Sequence, residues 1–194
     1  MNILFLYGNE RAFILSEWLR EKGHNVILIK DRISTDFIKD NEIDLIISFT
    51  YRFHIHKSIV TAVNGNAVNL HISYLPWNKG ADPNIWSWID DTPKGVSIHF
   101  ISDEIDGGDI ISQRIVPLYT EEETLSSSYD KLMDNIVLLF QEVFLDFSHW
   151  REMAHSQVGM GSKHASFQLK ALKEEINYHI PISRIIEEIK PHVK

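Results

Sequence analysis

Asn69 and His71, in the stretch NAVNLHISYLPWNKG over residues 66–80, could act together on one ligand. In an extended chain, residues i and i+2 point to the same face. A carboxamide there offers an N–H to a developing oxyanion, and an imidazole can donate, accept or carry charge near neutral pH. The pair therefore suits chemistry that passes through an oxyanion. Its spacing suits equally well two polar residues closing a strand.

Acidic residues and glycines gather a second time at Asp103-Glu104-Ile105-Asp106-Gly107-Gly108-Asp109. Such a composition makes a turn between strands. The aspartates lack the ligand order of an EF-hand, so the segment on its own reads as a solvated turn. His54 and His56 have no third or fourth ligand at helix or strand spacing, and no metal site is expected. Gly8-Asn9-Glu10-Arg11 could hold a phosphate on backbone N–H groups or form a plain tight turn, and it matches neither a GxGxxG nor a Walker pattern. Trp77 stands in a Pro-Trp-Asn-Lys-Gly loop, where an aromatic side chain more often serves recognition than core packing.

These residues need a frame. Continuous apolar runs at 2–7, 25–29, 44–49 and 67–70 alternate with helical patterns after Gly8, around Phe37 and over 55–63. Runs of this kind indicate parallel strands covered on both faces. The fold class is α/β, a doubly wound, mostly parallel sheet with helices on both faces. Ligands of such sheets bind outside the carboxyl ends of the strands, where Gly8, Tyr51–Phe53 and Asn69–His71 should converge. Beyond them we expect a helix over 82–90, strands over 95–101 and 109–118, and an amphipathic helix over 124–147. A tail from 151 carries a Gly-Met-Gly-Ser-Lys-His turn and two short helices. Residues 1–150 are read as the catalytic domain, and 151–194 as a short helical extension packed on it.

The chain has 194 residues, a net charge of -8 and no cysteine. Its length suits one domain with a sizeable core. The acidic balance argues against nonspecific nucleic-acid binding, and the missing thiols exclude disulfides and thiolate catalysis. The apolar start reads as a first strand and not as a signal peptide, and no run reaches the roughly 20 apolar residues needed to cross a bilayer. The expected location is the cytoplasm, with no membrane partner; the oligomeric state is open.

In order along the chain, Asn69-x-His71, Leu75-Pro76, Lys79-Gly80, Gly95-Val-Ser-Ile-His99 and Asp106-Gly-Gly-Asp-Ile-Ile111 resemble the folate-dependent formyltransferase family. That family includes glycinamide ribonucleotide formyltransferase, methionyl-tRNA formyltransferase and the sugar-nucleotide N-formyltransferases. The resemblance covers about residues 1 to 147. It implies a Rossmann-like formyltransferase fold, 10-formyltetrahydrofolate as formyl donor, and no metal. It also implies a catalytic set of Asn69, His71 and Asp106. Asn69 and His71 would stabilise the oxyanion, while Asp106 supports His71 and helps remove the amine proton. His99 matches a family histidine expected to stand behind these three. Tyr51, Arg52, Phe53 and His54, with the loop Ser102, Asp103, Glu104, Ile105, are the expected folate contacts.

The acceptor follows from where the chain departs from each branch. Too few residues follow the long helix for the additional tRNA-gripping domain, and the first loop has one glycine where the purine-pathway enzyme has several. The loop from Leu75 to Asn84 and the tail Gly161-Ser-Lys-His164 look more like the sugar N-formyltransferases, whose compact members include the pseudaminic-acid-pathway type. The expected acceptor is thus the amine of a nucleotide-linked 4-amino-4,6-dideoxy sugar. Gly8, Asn9, Trp77, Lys79, Asp82 and Asn84 are its expected contacts, with Lys79 supplying a point charge. Glycinamide ribonucleotide, another amine, and a catalytically inactive folate or nucleotide-sugar binding module stand as alternatives.

Overall fold

In the computed structural model, which describes residues 1–189, the apolar runs of the first half are strands. They are β1 (Asn2–Tyr7), β2 (Asn25–Ile29), β3 (Leu45–Phe49) and β4 (Ala67–His71). All of their pairings are parallel. Their side chains alternate between two cores, which is why the runs are apolar at every position. Ile3 and Phe5 pack under helices α1 (Phe13–Glu21) and α5 (Leu125–Phe144), while Leu4, Leu6 and Ile46 pack under α2 (Thr35–Asp40) and α3 (Lys57–Ala62). Burying each large aliphatic side chain contributes about 1.5–3 kcal/mol.

After β4 the chain forms β5 (Lys79–Gly80) and helix α4 (Pro83–Ile89), then adds two antiparallel strands, β6 (Gly95–Phe100) and β7 (Ile110–Ile115). The six-stranded sheet runs β2-β1-β3-β4-β6-β7. It is mostly parallel with helices on both faces, as expected. The strand foreseen over 109–118 stops at Ile115, and the helix foreseen over 124–147 covers Leu125–Phe144. Thr124 starts that helix by accepting from Ser127 N at 3.0 Å, while Ser127 Oγ accepts from Thr124 N at 2.9 Å. This reciprocal cap satisfies two backbone donors that the first turn leaves free.

The tail comprises α6 (Trp150–Met153), β8 (Lys163–His164), α7 (Lys170–Lys173) and α8 (Ile182–Ile189). Trp150, Leu169, Ile182, Ile185 and Ile189 are buried in the core that holds α5. β8 pairs with β5 in a two-stranded parallel sheet. Sequence pattern gave no hint of that pairing, because two residues in an irregular loop carry no period. The last part of the tail, 190–194, lies outside the described residues. Among the described residues no helix is long and apolar enough to cross a membrane.

Candidate active site

Strand parity and register build the site. Val68 and Leu70 face the core under α1 and α5, so Asn69 and His71 face the opposite side of β4. Across the antiparallel ladder the register sets Asn69 against His99. Residues directly opposite one another share a face, and Asn69 Nδ2 lies 3.3 Å from His99 Nε2. The loop between β6 and β7 folds over this face and delivers Asp106, whose backbone is left-handed at φ 51°.

Asp106 is the hub. Its Oδ1 accepts from Asn69 Nδ2 at 3.1 Å and lies 3.4 Å from His99 Nε2. Its Oδ2 accepts from the Gly80 N–H at 2.8 Å and lies 3.6 Å from His71 Nδ1. Burial favours the neutral acid, but the adjacent His71, the hydrogen bond and field of His99, and the Gly80 N–H outweigh it. The carboxyl is held well below the usual carboxylate range and is ionised at neutral pH.

His71 is buried, and its Nε2 donates to the Asn78 carbonyl at 3.0 Å. Burial lowers its pKa, His99 adds to that effect, and Asp106 and the Asn78 carbonyl oppose it. A neutral ring with its proton on Nε2 leaves the Nδ1 lone pair toward Asp106 Oδ2, beyond direct hydrogen-bond reach. A donor entering between them meets two acceptors. His99 Nδ1 donates to the Phe100 carbonyl at 2.8 Å, and its Nε2 faces both Asn69 Nδ2 and Asp106 Oδ1. His99 thus touches both Asn69 and Asp106 and is part of the cluster itself.

The remaining expected contacts fall into three groups. Asp103 pairs with Lys57 at 3.3 Å and Glu104 with Lys79 at 3.3 Å, so the 102–106 loop bridges the start of α3 to β5. Ser102 Oγ donates to the Glu104 carbonyl within that loop, and Ile105 is exposed. Tyr51 to His54 form a ring cluster: Tyr51 packs edge-on to Phe53, whose ring is approached by the guanidinium groups of Arg32 at 4.6 Å and Arg52 at 4.8 Å. Tyr51 Oη donates to the Asp31 carbonyl, and His54 meets His56 edge-on. A cleft of about 580 Å³, lined by Tyr7, Asp31, Arg32 and Phe37 among others, opens beside this cluster.

On the acceptor side, Trp77 is half-buried, and Asp82 pairs with Lys173. Asn84, expected to contact the acceptor, is engaged with the start of α5 in this structure. Its Nδ2 donates to the Leu125 carbonyl and its Oδ1 accepts from Ser128, so both polar ends serve the start of α5. The Gly8 and Asn9 N–H groups both donate to Thr50 Oγ1, at 3.0 and 3.2 Å. A Cβ on Gly8 would stand 1.9 Å from the Thr50 carbonyl oxygen, which explains the glycine by close backbone approach. Among the described residues no group of three or more His, Cys, Asp or Glu side chains is arranged to hold a metal ion.

Sequence reasoning missed the Gly80 N–H and Gln157, whose Nε2 donates to the carbonyls of Asp106 at 2.7 Å and Gly108 at 2.9 Å. Backbone donors and a lone amide in an irregular tail leave no sequence signature.

Comparison with known proteins places this geometry. The formyl transferase family matches residues 10–143. Methionyl-tRNA formyltransferase of Listeria innocua serovar 6a is 28% identical over 152 residues, which is 77% of this chain and 47% of its own length. The dTDP-4-amino-4,6-dideoxyglucose formyltransferase of Mycobacterium bovis is 30% identical over 132 residues, 66% of this chain and 55% of its own. The chain thus spans about half the length of these curated relatives. The crystal structure of the formyltransferase PseJ from Anoxybacillus kamchatkensis, in complex with UDP-4,6-dideoxy-4-formamido-L-AltNAc and tetrahydrofolate, matches with a TM-score of 0.83 and 35% identity. That match covers 95% of this chain and 97% of the other. A family match that begins at the β1–α1 turn and ends in the last turn of α5, enclosing all four residues of the hub, means that the chain belongs to the formyl transferase family.

Proposed function

We propose that this protein transfers a formyl group from 10-formyltetrahydrofolate to the amine of a nucleotide-linked aminodeoxy sugar of the 4-amino-4,6-dideoxy type. The observation that carries this reading is the near end-to-end match to PseJ, whose complex holds a 4-formamido sugar nucleotide and tetrahydrofolate. The hub of Asn69, His71, His99 and Asp106 supports it chemically.

In the reaction an N–C bond forms between the acceptor amine and the formyl carbon, and the bond from that carbon to the folate nitrogen breaks. One proton leaves the amine and one reaches the departing nitrogen. The space between His71 Nδ1 and Asp106 Oδ2 takes an N–H of the amine, with Asp106 orienting it and His71 Nδ1 taking its proton. Asn69, which gives one N–H to Asp106, turns its other N–H to the formyl oxygen as charge builds there. Asp106 keeps its charge and so stabilises the imidazolium that forms on His71. A folate donor fits the residues present, because a half-buried Phe53 flanked by guanidinium groups and a loop tethered at Asp103 and Glu104 offer an aromatic platform beside backbone polar groups. Trp77, Lys79 and Asp82 are proposed to face the sugar and phosphates. The cleft at Tyr7, Asp31 and Phe37 gives room for the nucleotide.

The same reading takes residues 1–150 as the catalytic domain, with 151–194 as an extension of it; the burial of Leu169, Ile182 and Ile185 in the main core supports this. Release of tetrahydrofolate on incubation with 10-formyltetrahydrofolate and a panel of amines tests the function. Fastest turnover is expected with a 4-amino-4,6-dideoxy sugar nucleotide. Faster turnover of glycinamide ribonucleotide would overturn the acceptor, and folate binding without turnover of any amine would overturn the activity.

A further inference from the structure

The chain from 154 to 164 crosses the molecule next to the hub and is stitched to both of its walls. On one side, His155 exchanges backbone hydrogen bonds with Ile110, and Ser156 Oγ donates to Asp109 Oδ1 at 3.1 Å. Gln157 then reaches the loop itself, through the two carbonyls of Asp106 and Gly108. On the other side, the Ser162 carbonyl accepts from Lys79 N, the His164 carbonyl accepts from Ala81 N, and Ser162 Oγ accepts from Asn78 N. The segment passes close enough to Pro76 that a Cβ on Gly161, at φ +61°, would stand 2.1 Å from the Pro76 carbonyl oxygen.

Gln157 has only one orientation that works. Turned as it is, its amide nitrogen supplies both hydrogens to two carbonyls; flipped, its oxygen would face them both. Its Oε1 is buried and has no hydrogen-bond partner among the described residues, so nothing on that side competes for the orientation. The two carbonyls belong to the residues on either side of Gly107, the first of them the left-handed Asp106 itself. Side chains other than glycine enter that backbone region at a cost, and it must be held from outside.

We infer that Gln157 is a positioning residue for the transfer reaction, holding Asp106 in the backbone conformation that aims its carboxylate at His71, His99, Asn69 and the Gly80 N–H. The inference rests on the proposed reaction for its kinetic arm but not for its spectroscopic arm. Misplacing a reacting group by about 1 Å can cost 10²-fold in rate, so Gln157→Ala should lower kcat by about 10- to 100-fold. The KM for the folate should stay within about twofold if binding is left unmoved.

Gln157→Glu is the sharper variant, because it keeps the shape and replaces two donors by acceptors facing two carbonyls. Its activity at neutral pH should fall below that of Gln157→Ala. Measured against wild type at each pH, it should recover on acidification, when the carboxylic acid regains one O–H donor. A residue that merely braces the tail would lower thermal stability in both variants without this pH-dependent recovery.

The spectroscopic arm is a ¹⁵N NMR titration of the imidazoles, which needs no turnover. The groups facing His71 are Asp106, His99 and the Asn78 carbonyl, and of these only Asp106 lies on the segment that Gln157 holds. Loosening Asp106 weakens the one carboxylate that favours the imidazolium, so the His71 midpoint should move down in Gln157→Ala. An unmoved His71 midpoint, with wild-type kcat per folded molecule, would overturn the inference. A moved midpoint in a protein that formylates no amine would uphold it while sinking the proposed reaction. If Gln157→Ala does not fold, the Gln157→Glu recovery decides alone, and its absence counts against the inference.

Discussion

The Gly80 N–H donates to Asp106 Oδ2 at 2.8 Å, which ties the loop expected to meet the acceptor to the carboxylate at the centre of the hub. Gly80 can do so because it is left-handed at φ +90° and lies flat against β8, where a Cβ would stand 2.3 Å from the His164 carbonyl oxygen. Gly80→Ala must therefore part β5 from β8 or distort the turn. A loss of about 1–3 kcal/mol in stability is expected, together with a fall in kcat. Urea denaturation and steady-state kinetics read the two effects separately.

Asp106→Asn keeps the volume and removes the charge between two imidazoles. Turnover should drop by about 10²–10⁴-fold, with circular dichroism unchanged. Near-normal kcat in this variant would refute the proton-handling role.

The pH dependence has a definite sign at His71. Burial holds its pKa below the roughly 6.5 of a free imidazole. Between that value and the lower folded value, the unfolded chain binds the extra proton. Stability then falls as pH is lowered through this window. The acid limb of kcat/KM should likewise lie below about 6.5, because the neutral ring is the form that accepts the amine proton. His71→Ala should flatten the stability slope in the same window and nearly abolish turnover, as measured by thermal unfolding and initial rates between about pH 4 and 7.

Lys79 pairs with Glu104 and is proposed to meet a phosphate of the acceptor. Lys79→Met should raise KM for the sugar nucleotide by about tenfold, which is 1.4 kcal/mol, with little change in KM for the folate. Equal loss against both substrates would place Lys79 in loop bracing instead.

A core substitution calibrates these numbers. Ile136 on α5 is fully buried beneath the sheet. Ile136→Ala should cost about 2–5 kcal/mol while the pH profile of the folded enzyme stays unchanged.

Local pattern carried a large part of this protein. Unbroken apolar runs such as Leu45–Phe49 specify strands buried on both faces, and the two-residue period of β4 places Asn69 and His71 on one side. The ordered short motifs pointed to the family before any coordinate. Tertiary structure decided the rest. It set His99 opposite Asn69 through antiparallel register, turned Asn84 into α5, and brought Gly80 and Gln157 to Asp106. Periodicity is a property of neighbours along the chain and is written in side-chain types. A backbone N–H that meets a carboxylate 26 residues away, or one amide that meets two carbonyls, depends on how irregular loops close over the sheet, and no residue type announces it.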